Sequence, residues 1–149
     1  MRAVVQRVRE ARVQVGGREI AAMGRGLLAL VAVAREDDEA DALWLARKLV
    51  GLRVFPDAHG RMQHALRDVA GTLGVVSQFT LLADVRKGRR PSFGAAAPGP
   101  HARRLVERVV QEATASGVTT VTGRFGEEME VALVNMGPVT LWIDTREAR

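Results

Sequence analysis

The first 34 residues carry apolar and polar positions in short alternating runs. Ala3 to Val8 and Arg12 to Val15 show the two-residue period of half-buried strands, Gly16-Gly17 turns the chain, and Glu19-Ile20-Ala21 continues it. Leu27 to Val33 is apolar at every position, the pattern of a central strand covered on both faces. These segments predict a four-stranded β-meander over residues 2 to 34. Beyond the acidic stretch Glu36 to Glu39, the apolar residues Ala42, Leu45, Ala46, Leu49 and Leu52 recur at helical spacing. They predict an amphipathic helix with negative charge at its favourable N-terminal end, stopping near Gly51.

Leu52 to Phe55 reads as a short strand running into the turn chemistry of Pro56 to Gly60, and residues 61 to 71 read as loop. Leu73 to Phe79 is a further buried strand that becomes polar as it ends. Residues 84 to 101 hold Pro91, Pro98 and Pro100 with Gly88, Gly94 and Gly99, a long loop of the kind that carries function in a compact domain. His101 to Ser116 predicts a second helix with Leu105, Val109, Val110 and Ala113 on one face and Gly117 as its stop. Thr119 to Phe125, Met129 to Asn135 and Val139 to Asp144 predict three closing strands. The order fits an α/β fold with mixed β-sheets and two main helices packed on one side, a three-layer α/β/β arrangement forming a single domain over residues 1–149.

Composition narrows the chemistry. The 149 residues are 47% hydrophobic and 26% charged, enough for a packed core. There is no cysteine, which excludes disulfides, thiol nucleophiles and iron–sulfur ligation and suits a reducing compartment. The longest apolar run, Leu27 to Ala34, is far shorter than the roughly 20 residues of a membrane span, and the N-terminal residues lack a signal peptide's apolar core. The expectation is a soluble, cytoplasmic protein without a membrane partner. The net charge is +5, and every basic residue except Lys48 and Lys87 is Arg, whose planar fork of donors suits phosphate.

The three histidines, His59, His64 and His101, lie in predicted loops or at a helix start and lack ligand spacing, so no metal site is expected. No nucleophile elbow surrounds Ser77, and no glycine-rich phosphate loop follows a strand. Ser77-Gln78-Phe79-Thr80 remains. It supplies hydroxyl and amide groups, a stacking face, and strand-end N–H groups able to stabilise an oxyanion, just ahead of a basic segment. Residues 85 to 106 carry Arg86, Lys87, Arg89, Arg90, Arg103 and Arg104 and no acid, a candidate phosphate track or a solvated face. Gly137-Pro138 sits between two predicted strands, as a turn or edge break would.

Taken together, Val5-Gln6-Arg7-Val8 with Ala11-Arg12-Val13, Ser77 to Leu81, Gly88-Arg89-Arg90-Pro91-Ser92-Phe93, Thr122-Gly123-Arg124-Phe125 and Asn135 to Thr140 resemble the D-aminoacyl-tRNA deacylases across essentially the whole chain. Ala32, where the family often has Gly, and Met136 depart from the family pattern away from its functional positions. The resemblance implies hydrolysis of the ester joining a D-amino acid, or glycine, to the tRNA 3′ end, with rejection of L-aminoacyl-tRNA as a proofreading step. It implies no cofactor, no DNA partner, and a homodimer with sites shared across the interface. In that picture Ser77, Gln78, Phe79 and Thr80 form the catalytic pocket. Gly137-Pro138 is a cis pair read into the partner's pocket, with Phe125 nearby and Arg7 in support, and Arg86, Lys87, Arg89 and Arg90 grip tRNA phosphates. Thr80 as nucleophile stays open beside backbone oxyanion stabilisation with water attack, because no adjacent base is visible. A non-catalytic RNA-binding module and a small-ester hydrolase using Thr80 are the competing readings.

Overall fold

The computed structural model describes residues 1–147. Strands β1 (Arg2–Val15), β2 (Arg18–Met23) and β3 (Gly26–Ala32) lead to helix α1 (Glu39–Gly51) and a short hairpin, β4 (Phe55–Pro56) with β5 (Met62–His64). Strand β6 (Thr72–Ser77), helix α2 (Gly99–Ala115), β7 (Thr119–Thr122) and β8 (Glu130–Asp144) complete the chain. No helix among the described residues is long and apolar enough to cross a membrane.

The sheet is mixed. β1 pairs antiparallel with β3 through residues 2–8, with β2 through residues 11–15, and with β8 along both stretches. β3, β6 and β7 run parallel to one another. The predicted first two strands are therefore one, since Arg9 and Glu10 are exposed residues of a strand that changes partners there, with no Gly or Pro to break it. The last two of the three predicted closing strands are also one. Gln6 pairs with Thr140 and Val8 with Asn135, so the four residues 136–139 face Arg7 alone and bulge out of the ladder.

Those register shifts let each long strand serve two cores. Ala3 and Val5 of β1, with Leu141 and Ile143 of β8, pack with Leu27, Ala29 and Val31 against Leu45 and Leu49 of α1 and Leu105 and Val109 of α2. Val8, Ala11 and Val13, with Val131 and Leu133, instead pack on Leu28 and Val76 across the opposite face. The layers are helices, central parallel strands, and the curled-over half of the same sheet, so one bent sheet supplies both β layers. Leu45, Leu49, Leu105 and Val109 are fully buried, each contributing about 1.5–3 kcal/mol. Gly26 permits the close start of the β3–β6 pair, because a Cβ there would lie 1.8 Å from the Thr72 carbonyl oxygen.

Helix α1 begins with a capping box, Asp38 and Asp41 each accepting the other's backbone N–H at 3.1 and 3.0 Å. Residues 61–71 are not the expected loop. Met62–His64 pairs with Phe55–Pro56, and a 3-10 turn at Arg67–Val69 follows the fully buried Leu66. Such short, mostly exposed elements offer no periodicity to read. Tertiary pairing also trims predicted strands: β6 ends at Ser77 and β7 at Thr122.

Candidate active site

Parallel β3 and β6 run in register to Val31 opposite Ser77, and both chains then open outward. The Gln78 N–H donates to the Val31 carbonyl at 2.7 Å, holding the two strand ends together for one more residue. Between these ends and α2 lies an apolar cavity of about 260 Å³, bordered by Ala32, Ser77, Gln78, Phe79, Ala102 and Phe125 among others. Its position beyond the carboxyl ends of parallel strands is where ligands bind in open α/β sheets.

After Gln78 the chain winds into a 3-10 turn, Phe79–Leu82, whose first two N–H groups, those of Phe79 and Thr80, have no acceptor within the turn. Phe79 is 56% exposed and packs edge-on against Phe93, ring centroids 4.9 Å apart. The Gln78 side-chain amide donates to the Thr80 hydroxyl oxygen at 2.5 Å. An amide cannot remove the hydroxyl proton. The histidines are elsewhere: His59 and His64 belong to the β4–β5 region, and His101 Nε2 lies 2.9 Å from the Asp37 carbonyl oxygen. Among the described residues no cluster of three His, Asp or Glu side chains is arranged to hold a metal ion.

Gly137-Pro138 does not border this cavity in its own chain. The bond is cis, both residues are exposed, and Gly137 has φ +131°. The bulge is braced from two sides. Arg7 Nε donates to the Met136 carbonyl at 3.0 Å while its Nη1 reaches the Val54 carbonyl. Asn135 Oδ1 accepts the Val139 N–H at 2.7 Å, and its Nδ2 donates to the Val139 carbonyl at 3.1 Å and to Thr140 Oγ1 at 2.9 Å. The outcome is an outward-facing protrusion fixed by side-chain bonds, on a strand that among the described residues pairs with β1 alone.

The basic loop is pinched at its base, where Asp84 and Ser92 exchange backbone hydrogen bonds of 2.8 and 2.9 Å. Although residues 85 to 106 contain no acid, the preceding Asp84 is a counter-charge for Arg86, which grips it at 2.7 and 2.9 Å. Arg86 side-chain and backbone hydrogen bonds hold the Asp84 carboxyl far below the usual carboxylate range. Arg86 is thus a brace for the loop instead of a free cation. Lys87, Arg89 and Arg90 are exposed and form no ion pair among the described residues.

Ser77, Gln78, Phe79 and Phe125 meet at the cavity, Thr80 sits one residue beyond, and Arg7 joins the Gly137-Pro138 protrusion. The sequence reading passed over Ala32, Ala96, Ala97 and Ala102 as site formers, since small apolar residues announce no chemistry. It also missed Asn135 as the internal clamp of the bulge, although that residue opened one of the noted motifs.

The family model described as D-Tyr-tRNA(Tyr) deacylase matches residues 4–144. The D-aminoacyl-tRNA deacylase of Thermomicrobium roseum is 54% identical, covering 100% of this chain and 97% of that protein. Those of Desulfatibacillum aliphaticivorans and Geobacter sulfurreducens are 51% and 50% identical over 98% of this chain, with 100% and 96% of their own lengths covered. A structure titled "c-Myc DNA Unwinding Element Binding Protein" superposes with a TM-score of 0.89 at 36% identity, over 97% of this chain and 98% of that one. A probable eukaryotic D-amino acid tRNA deacylase shares the fold at a TM-score of 0.84 and 16% identity, over 95% and 97% of the two chains. By match length and identity together, the chain belongs to the D-Tyr-tRNA(Tyr) deacylase family and is a hydrolase.

Proposed function

We propose that this enzyme, acting as one domain over residues 1–149 in the cytoplasm, hydrolyses the ester of D-aminoacyl-tRNA and of glycyl-tRNA while sparing L-aminoacyl-tRNA. The observation that carries the proposal is the pairing of a strand-end cavity at Ser77–Phe79 with a braced, outward-facing Gly137-Pro138 that its own chain leaves unused. A protrusion of that kind fits the cavity of a second copy. The unpaired edge of β8, with exposed Val134 and Trp142, supplies a surface for a two-fold homodimer with shared sites.

In the assembled site the carbonyls of the partner's Gly137-Pro138 hold the substrate's α-amino group and occupy the direction from Cα in which an L side chain would point. Discrimination then works by exclusion, so any D side chain is accepted and glycine, having none, passes too. The cavity takes the terminal adenosine, with Phe79 and Phe125 as apolar faces. The free N–H groups at Phe79 and Thr80 are suited to the developing oxyanion. Thr80 accepts a hydrogen bond from Gln78, and among the described residues no carboxylate or imidazole is hydrogen-bonded to its hydroxyl, which supports its role as pocket lining. Water attacks the ester carbonyl carbon with help from the adjacent ribose 2′-hydroxyl, the carbon–oxygen bond to the 3′ position breaks, and the 3′ oxygen leaves protonated. Lys87, Arg89 and Arg90 hold phosphates without reading bases.

The test is amino acid release from matched D-tyrosyl- and L-tyrosyl-tRNA, with Thr80→Ala beside the natural protein. Loss of the D ester alone, with Thr80→Ala retaining deacylation, is expected. Equal hydrolysis of both esters would remove the chiral exclusion. Two stable esters with retained tRNA binding would make the protein a non-catalytic RNA-binding module. Turnover of a nitrophenyl ester abolished by Thr80→Ala would favour a small-ester hydrolase.

A further inference from the structure

A second depression, about 360 Å³, adjoins the site on the far side of Phe125. It shares Ser77, Val106 and Phe125 with the strand-end cavity, so Phe125 stands between two contiguous spaces. Its rim differs in chemistry. Arg103, Glu107 and Gln111 recur at four-residue spacing along one face of α2, and Arg124 approaches from the segment after β7. The volume lies within the range of small-molecule sites.

The charged groups here are not used up within the fold. Arg103 and Glu107 stand at the spacing of a helical ion pair, yet the Arg103 guanidinium lies 5.1 Å over the Phe125 ring and no such pair forms. Arg108 and Glu112, at the same spacing further along the helix, do pair, at 3.5 Å. Among the described residues neither Arg103, Arg124 nor Glu107 takes part in an ion pair, and all three are exposed. An aromatic ring, two guanidinium groups and a carboxylate without ion-pair partners among the described residues, and the Gln111 amide thus converge on a groove contiguous with the cavity.

We infer that this groove is a subsite for the nucleotide immediately preceding the terminal adenosine, a cytidine in every mature tRNA. The inference rests on the adenosine occupying the strand-end cavity as proposed above. The groove joins that cavity at Ser77, Val106 and Phe125, so a strand that continues from the adenosine's 5′ side past Phe125 enters it. Arg124 and Arg103 then hold the linking phosphate, and the base lies against the Phe125–Arg103 pair. The Glu107 carboxylate accepts from the cytosine amino group, a pairing that uracil, with a carbonyl there, cannot make.

Three small substrates test the subsite apart from the remainder of the tRNA: 3′-D-tyrosyl-adenosine, 3′-D-tyrosyl-CpA and 3′-D-tyrosyl-UpA. The dinucleotide CpA is expected to lower KM about tenfold relative to adenosine, the size expected for one stacked and phosphate-held base. Arg124→Ala should bring the ratio of the two KM values close to one, and Glu107→Gln should erase a preference for CpA over UpA. Equal KM values for the adenosine and CpA esters in the natural protein overturn the subsite. So does a ratio that responds to Arg89→Ala in place of Arg124→Ala, which routes the strand to the basic loop instead. Failure to hydrolyse any of the three esters, with D-tyrosyl-tRNA also stable, refutes the deacylase reading itself and this inference with it.

Discussion

Adding a single methyl group at Gly137 tests whether the braced protrusion is the part of the molecule that activity depends on. The backbone there has φ +131°, which a residue with a side chain adopts only at a cost of about 1–3 kcal/mol. An added Cβ would also lie 2.8 Å from Val139 Cγ2, 3.0 Å from Arg7 Nη2 and 3.1 Å from the Val139 backbone N. The last atom cannot yield without breaking the 2.7 Å bond to Asn135 Oδ1. About 3 kcal/mol in favour of a displaced bulge follows, which corresponds to roughly a hundredfold fall in the occupancy of the native geometry. In Gly137→Ala, kcat/KM for D-tyrosyl-tRNA should fall by about that factor while uncharged tRNA binds as before. Both residues of the bulge tip are exposed, so the fold survives and far-UV circular dichroism stays unchanged. Natural rates and natural chiral preference in Gly137→Ala would refute the assignment of the protrusion to the site.

The free cations of the basic loop should govern the salt dependence of tRNA binding. Replacing Arg89 and Arg90 by Ala should lower the slope of log affinity against log salt by about one to two, whereas Arg86→Ala, already paired with Asp84, should change it less. Asp37 is buried, accepts the Ala34 N–H and stands 2.9 Å from the Met1 ammonium and 3.6 Å from Arg146, so Asp37→Ala should cost about 3–5 kcal/mol in denaturant unfolding. At Asp144, burial pushes the carboxyl up, but the Arg146 N–H, Arg2 and the Met1 ammonium outweigh it and hold it below its ordinary 3.8. Its contribution is therefore present above pH 3.8 and lost as pH falls through the lower folded value, so Asp144→Asn should flatten the acid limb of a stability–pH curve.

Much of the architecture is legible as pattern. The all-apolar run Leu27 to Val33 must be covered twice, and it is the central strand between two cores. The acidic lead-in and stripe of Ala42 to Leu49 read as a helix because capping and burial both leave marks on residue type. At the site, Ser77 to Thr80, Phe125 and Gly137-Pro138 could be picked out as motifs, and the first of these is where the cavity opens. Less legible were the boundaries. Arg9-Glu10 resembles a break and is a change of partner, and Asn135 to Thr140 resembles a turn and is a bulge inside one strand.

Local sequence thus determined the elements that bury a regular stripe, the absence of thiol chemistry, and the residue types gathered for phosphate and ester. The tertiary structure decided what those residues are free to do. Arg86 reads as one more cation until Asp84 is seen to occupy it, and Arg103 reads as another member of the basic segment until its guanidinium is seen to lie over the Phe125 ring. Gly137-Pro138 reads as a turn until Arg7 and Asn135, far apart in sequence, hold it outward from the ladder. Periodicity records which side of an element is buried, whereas a side chain's availability depends on which partner the fold turns towards it, whether two residues away as for Arg86 and Asp84 or 129 as for Arg7 and Met136, and burial patterns do not encode that choice.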